Sequence, residues 1–331
     1  MKTALLLSAC AMTLALASSA AADPISQGAI DCDRACLQDA VDQTLAAMVA
    51  HDAHRLTLAP DVRYTENGQQ LALNDGFWGT ATGQGAYKHY VLDPCTGQAG
   101  FFGVMKENGT NTVILAMRIK LEGRKISEIE AVFSRTGLGT AGPNGAATLE
   151  AMGKPDAVWT NDNPDHASRE DIIRDSNKYF TALENDDGKG DYSFFADDCW
   201  RFENGMQTTS GPHPIPPNPN APARQGPSPF SLSCKGGFAT GTLQVVTRIR
   251  DRRFPIVDEQ TGVAFAFGFF DHNARVHDFT LADGSHMHGG LQAPFTWEIA
   301  EAFRIEHGKI KVVEAVINNV PYGMKAGWNG H

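Results

Sequence analysis

The chain has 331 residues, 42% hydrophobic and 20% charged, with a formal net charge of −10. That length allows two globular domains, each able to bury its own core. Lys and Arg form no runs, which argues against nucleic acid and anionic membrane surfaces as partners.

Residues 1–22 read as a signal peptide. Lys2 is the positive start, Ala4 to Ala17 the apolar stretch, and Ala20-Ala21-Ala22 the cleavage site, so the mature chain begins at Asp23. Losing Lys2 takes the net charge from −10 to −11. Leu7-Ser8-Ala9-Cys10 also fits a lipoprotein box. The apolar stretch runs past Cys10 and little precedes it, so a periplasmic or secreted chain is the stronger reading. No later stretch reaches the ~18 apolar residues of a membrane span.

The first domain is expected over residues 30–134. Leu37, Val41, Leu45 and Met48 at helical spacing predict a helix from Cys36 to Val49. A short segment with Leu56 and Leu58 follows, and residues 112–121 and 125–133 form a hairpin around Glu122-Gly123. Residues 135–168, rich in Gly, Asn and Pro, read as a linker. The second domain, 169–325, repeats the order: a helix from Ile172 to Leu183, a segment with Phe194 and Phe195, and a hairpin of 295–306 and 309–317 around His307-Gly308. It carries two insertions. Residues 208–231 hold eight of the 17 prolines, which rules out regular sheet there. Residues 273–293 carry His277, His286 and His288.

Three ordered matches make the two halves copies of one unit. Asp61 precedes Glu66-Asn67-Gly68 by five residues, as Asp198 precedes Glu203-Asn204-Gly205. The stretch from Leu92 to Gly103 matches Val257 to Gly268 without gaps, and Lys125 to Val132 matches Lys309 to Val316. Two copies are too few for a solenoid, so this is a duplicated domain.

Five cysteines remain after cleavage: Cys32, Cys36, Cys95, Cys199 and Cys234. In an exported chain they are disulfide candidates first. Cys199 and Cys234 flank the Pro-rich insertion and are expected to close it; Cys32 and Cys36 are local to each other; Cys95 is left over.

A helix, a short segment, a strand ending in an acid and then a long curved antiparallel sheet resembles the NTF2-like superfamily, which includes SnoaL and ketosteroid isomerase. The resemblance implies an α+β chain of two tandem NTF2-like cones, each a curved antiparallel sheet wrapped on N-terminal helices. Asp61/Glu66 and Asp198/Glu203 look like the isomerases' strand entry, which ends in the general base. The layout, with Tyr64-Thr65-Glu66-Asn67-Gly68 in copy one and Cys199-Trp200-Arg201-Phe202-Glu203 ahead of Cys234 in copy two, is also similar to a secreted two-copy family of unknown function.

The candidate chemistry follows. A carboxylate at Glu66 or Glu203 that enters an apolar pocket loses hydration, and its pKa moves toward the range useful for proton transfer. The competing reading is that Glu-Asn-Gly is turn chemistry. Strand alternation puts Tyr64 on the face of Glu66 and Arg201 on that of Glu203. An Arg beside the acid favours a static ion pair, so copy one is the expected working half. His89 and Tyr90 precede its middle strand, opposite Phe254-Pro255 in copy two, and His89 is a candidate proton shuttle against the blander reading of a satisfied histidine. Arg63, Asn67, Trp78, Tyr90, Arg201 and Asn204 are candidate substrate contacts. His272, His277, His286 and His288 show no recognised ligand spacing, so neither a metal nor another cofactor is expected. P-loop and Gly-x-Ser-x-Gly motifs are absent from the sequence.

The expected function is cofactor-independent proton transfer on a small apolar or aromatic molecule, as an isomerase, dehydratase or other lyase. Glu66 is the base, Tyr64 or His89 the acid, and Glu203 a second site. The alternative is a non-catalytic ligand-binding or protein-interaction module. The paired copies are expected to form a pseudo-dimer within one chain, with further homo-oligomers left open.

Overall fold

The computed structural model describes residues 32–135, 145–213, 231–288 and 291–328. The expected signal peptide, the lipoprotein box and much of the Pro-rich insertion lie outside these.

Asp33 caps helix α1 (Arg34–Val49) by accepting from the Cys36 N–H at 2.9 Å. The helix buries the expected Leu37, Val41, Leu45 and Met48. Strands β1 (Leu58–Glu66) and β2 (Gln69–Leu71), a short helix α2 (Phe77–Thr80), and strands β3 (Ala81–Asp93), β4 (Gln98–Glu107), β5 (Asn111–Glu122) and β6 (Lys125–Arg135) complete copy one. Helix α3 (Gly145–Met152) leads to copy two. There α4 (Arg169–Glu184), β7 (Phe195–Glu203), β8 (Met206–Gln207), α5 (Cys234–Phe238), β9 (Arg248–Asp258) and β10 (Val263–His272) follow. A small hairpin, β11 (Phe279–Thr280) and β12 (His286–Met287), precedes β13 (Phe295–Glu306) and β14 (Lys309–Pro321). Ser168 caps α4 by accepting from the Asp171 N–H.

The copies share one topology. Strand order is β2-β1-β6-β5-β4-β3 in the first sheet and β8-β7-β14-β13-β10-β9 in the second. Both sheets are mixed, which corrects the expected antiparallel sheet: β1 runs parallel to β6, and β7 parallel to β14. Local sequence patterning encodes strands but not which distant strand each one joins.

The sheets pack against each other, with α1 and α4 on their outer faces. In β4, Ala99, Phe101 and Met105 face α1, while Phe102 and Val104 face the other sheet. In β13, Ile299 and Phe303 join the core under α4, while Ala300 and Ala302 face copy one. Burial on both faces explains why these strands are almost continuously apolar. At Gly100 the sheets come so close that a Cβ would sit 2.6 Å from the Phe265 ring. The expected linker is partly core, because Ala146, Leu149 and Trp159 pack into the inter-sheet cluster. The Gly, Asn and Pro content around these apolar residues hid that role.

Cys32–Cys36 and Cys199–Cys234 are disulfides, a feature that belongs to an oxidising compartment. Cys95 is not a leftover thiol; it too is disulfide-bonded. Among the described residues, no helix is long and apolar enough to cross a membrane.

Candidate functional site

The repeated Glu-Asn-Gly closes a two-residue hairpin in each copy. Asn67 and Gly68 have φ of 47° and 72°, and Asn204 and Gly205 have 48° and 71°, the paired left-handed residues that such a turn requires. The Asn67 carboxamide oxygen accepts from the Phe133 N–H at 2.8 Å. Asn204 brackets Ile317, accepting from its N–H at 2.8 Å and donating to its carbonyl at 3.0 Å. Both asparagines therefore tie the turn to the neighbouring strand. The glutamates before them differ.

In copy one Glu66 is 9% exposed and fully engaged. Its Oε2 accepts from the Phe77 N–H at 2.6 Å and from the Tyr64 hydroxyl at 3.1 Å, and its Oε1 lies 3.5 Å from Arg135. Burial, then the charge of Glu66, raises the Tyr64 pKa far above the usual phenol value, so Tyr64 remains a donor. Around this pair Phe77 stacks on Phe133 at 4.3 Å, and Tyr64 meets Trp78 edge-on at 5.8 Å. Met105 and Met117 are also fully buried here. Trp78 is thus a core residue, and Glu66 holds the start of α2.

Copy two keeps a cavity of about 320 Å³ between its sheet, α4 and α5. Its walls are mostly apolar, including Leu183, Leu243, Phe270, Trp297 and Ile299. Arg201, Glu203 and Glu301 bring charge-bearing groups into it. Glu203 and Glu301 stand in one row of the sheet, on either side of Ala315 of β14. The same row in copy one reads Glu66, Ala131, Met117. The second acid is therefore present in copy two only.

Glu301 is 2% exposed and its Oε2 has no hydrogen-bond partner. Burial, reinforced by the charge of Glu203, raises its pKa well above the carboxylate range, while Arg201 opposes this more weakly. Burial therefore favours the protonated form of Glu301. Arg201 donates to the Tyr179 hydroxyl at 3.0 Å and sits 3.6 Å from Glu203. Burial works against its charge, but the Tyr179 oxygen, Glu203 and Glu301 together raise its pKa above the usual value. The arrangement combines a cation, a partly exposed carboxylate and a buried carboxyl whose burial favours the protonated form. Sequence reading missed Glu301; Trp297, a tryptophan expected in the core or on a pocket wall, lines the cavity. The available signal was an acid and an indole on a buried strand where the aligned strand of copy one carries Met117 and Val113.

The other candidates lie elsewhere. His89 does not meet Glu66; its Nδ1 is 2.7 Å from Glu314 of copy two, and its ring packs against Trp159 at 4.5 Å. Tyr87 also donates to Glu314, at 3.0 Å. His89 points between the sheets because it shares a face of β3 with Tyr87 and Val91, opposite Tyr90 and Leu92. Its counterpart by pairing is Arg253, not Phe254: His89 pairs with Phe102 as Arg253 pairs with Phe267. Tyr90 points the other way, donating to Asp42 of α1 at 2.8 Å. Arg63 donates to the Gly327 carbonyl and lies 4.5 Å over the Trp328 ring. His286 and His288 sit on the exposed β11–β12 hairpin, and His288 is 3.2 Å from Asp278. Among the described residues no three His, Cys, Asp or Glu side chains gather as metal ligands.

The repeat, the shared topology and the two-sheet interface define a two-copy protein. A family model described as a domain of unknown function (DUF8021) matches residues 31–133 and 165–317, one match on each copy. The chain belongs to that family. Comparison with curated proteins finds no match.

Proposed function

We propose that the chain is an exported, cofactor-independent enzyme that moves a proton on a small apolar molecule, and that copy two is the working half. Each copy is read as an NTF2-like domain; the shared strand order supports this. The observation carrying the proposal is the Glu203–Glu301 row at an apolar cavity, with Glu301 buried and its Oε2 without a hydrogen-bond partner. Glu203 takes a proton from a carbon beside a carbonyl. Glu301 donates to the carbonyl oxygen as negative charge develops there, and Arg201 steadies the same charge. Isomerisation and lyase steps both begin with this transfer.

The test is hydrogen–deuterium exchange of the acetyl protons of 2-acetylnaphthalene in D₂O, followed by NMR. Enzyme-dependent exchange is expected, and Glu203→Gln should slow it by about 10²–10⁴-fold. Binding of the ketone with no exchange above buffer would overturn the catalytic reading and leave a binding module.

A further inference from the structure

Four residues that line the copy-two cavity each carry a buried polar atom without a hydrogen-bond partner: Arg201 Nε, Thr208 Oγ1, Trp297 Nε1 and Glu301 Oε2. Buried polar groups in folded proteins are nearly always paired, so such a cluster at one cavity is a demand placed on a ligand. The chemistry of that demand is one-sided. The Arg and Trp nitrogens can only donate. The Thr hydroxyl can donate, and Glu301 donates in the protonated form that its burial favours.

The donors are also spread out. Trp297 and Glu301 lie four positions apart on one strand and so share a face, and Ile299 between them lines the same cavity. Four residues of extended chain separate them by about 13 Å at Cα. Charge is already balanced, because Glu203 sits beside Arg201. A ligand anion would leave the site with an uncompensated negative charge in a largely apolar enclosure.

We infer that this cavity selects a neutral, flat molecule with oxygen acceptors at two ends on the order of 10 Å apart, one meeting Arg201 and Glu301 and the other meeting Trp297. The inference rests on the proposed reactive end and adds the far end, where Trp297 acts as a specificity residue. The class is that of donor-poor aromatic or alicyclic compounds with two carbonyl or ether oxygens.

Calorimetric titration of the full mature chain with three naphthalenes of matched shape tests this. They are 2-acetylnaphthalene with one acceptor, 2,6-diacetylnaphthalene with two, and the anion 6-acetyl-2-naphthoate. The diketone should bind about three- to tenfold more tightly than the monoketone, the value of one neutral hydrogen bond. Trp297→Phe should erase that difference while leaving monoketone binding in place, which also shows that the variant is folded. Equal affinity for the two ketones, or tightest binding of the naphthoate, would overturn the inference. Failure of proton exchange with the diketone still preferred would instead strike only the catalytic reading.

Discussion

Arg34, the first residue of α1, forks both terminal nitrogens onto Asp258 at the end of β9 in the other copy, each at 2.7 Å. The relation is mirrored. Arg169, the first residue of α4, contacts Asp93 at the end of β3. Asp258 also accepts from the Leu92 N–H at 3.3 Å, and Asp93 from the Val257 N–H at 3.0 Å. The two halves thus meet through one self-complementary patch used twice, as in a two-fold dimer.

Both carboxylates are 1% exposed at the side chain, so removing either strands an arginine and several N–H groups. Asp258→Ala and Asp93→Ala should each cost about 3 kcal/mol, measured by urea unfolding. Losses below about 0.5 kcal/mol, typical of exposed pairs, would show that the forks contribute little.

Glu298, on the inter-sheet face of β13, is buried with Oε2 unpartnered. Burial, then the charge of Glu130, holds its pKa well above the usual value, with Arg253 pulling the other way. An acid whose folded pKa exceeds its unfolded value of about 4.3 binds its proton more tightly when folded. That contribution is complete below the unfolded pKa and is lost as pH rises toward the folded one. Glu298→Gln should therefore match the parent in Tm near pH 4 and exceed it increasingly up to pH 8. A Tm difference that stays constant with pH would contradict the assignment.

Cys199 and Cys234 are 35 residues apart in sequence. Closing that loop is worth about 4 kcal/mol on the chain-entropy model, against about 2 kcal/mol for Cys32–Cys36. Cys234 opens α5, whose Gly237 borders the cavity and whose Phe238 lies under Arg201 at 5.7 Å. The Cys199→Ser/Cys234→Ser variant should be less stable by about that amount, and its calorimetric affinity for 2-acetylnaphthalene should fall. Unchanged affinity would mean that α5 holds its place without the bond.

Glu66 and Glu203 should separate by phenotype. Glu66→Ala strips acceptors from the Phe77 N–H and the Tyr64 hydroxyl, at a cost of about 2–3 kcal/mol, while proton exchange per folded molecule persists. Glu203→Gln should leave the urea midpoint nearly unchanged and remove exchange. If Glu66→Ala abolished exchange in folded protein, copy one would be the active half.

Much of the architecture was legible because the duplication repeats short signatures with structural jobs. The Asn-Gly pairs make hairpins, and the aspartates at 93 and 258 make the interface forks. The parallel pairing of β1 with β6 was not legible, since nothing local in β1 encodes it. The site was only half legible. Glu203 and Arg201 follow from strand alternation, but a lone acid such as Glu301 within an apolar strand carries no motif. His89 misled because nothing local tells which face of β3 turns toward the other copy.

The row that reads Glu, Ala, Met in one sheet and Glu, Ala, Glu in the other has a genetic consequence. In a dimer of identical chains every codon is expressed in both halves, so exchanging the second acid for methionine would remove both sites at once. Here the halves are encoded separately. One sheet is free to fill its interior with Met117, Trp78 and Phe133 and to serve as a scaffold, while the other keeps its hollow and its paired acids.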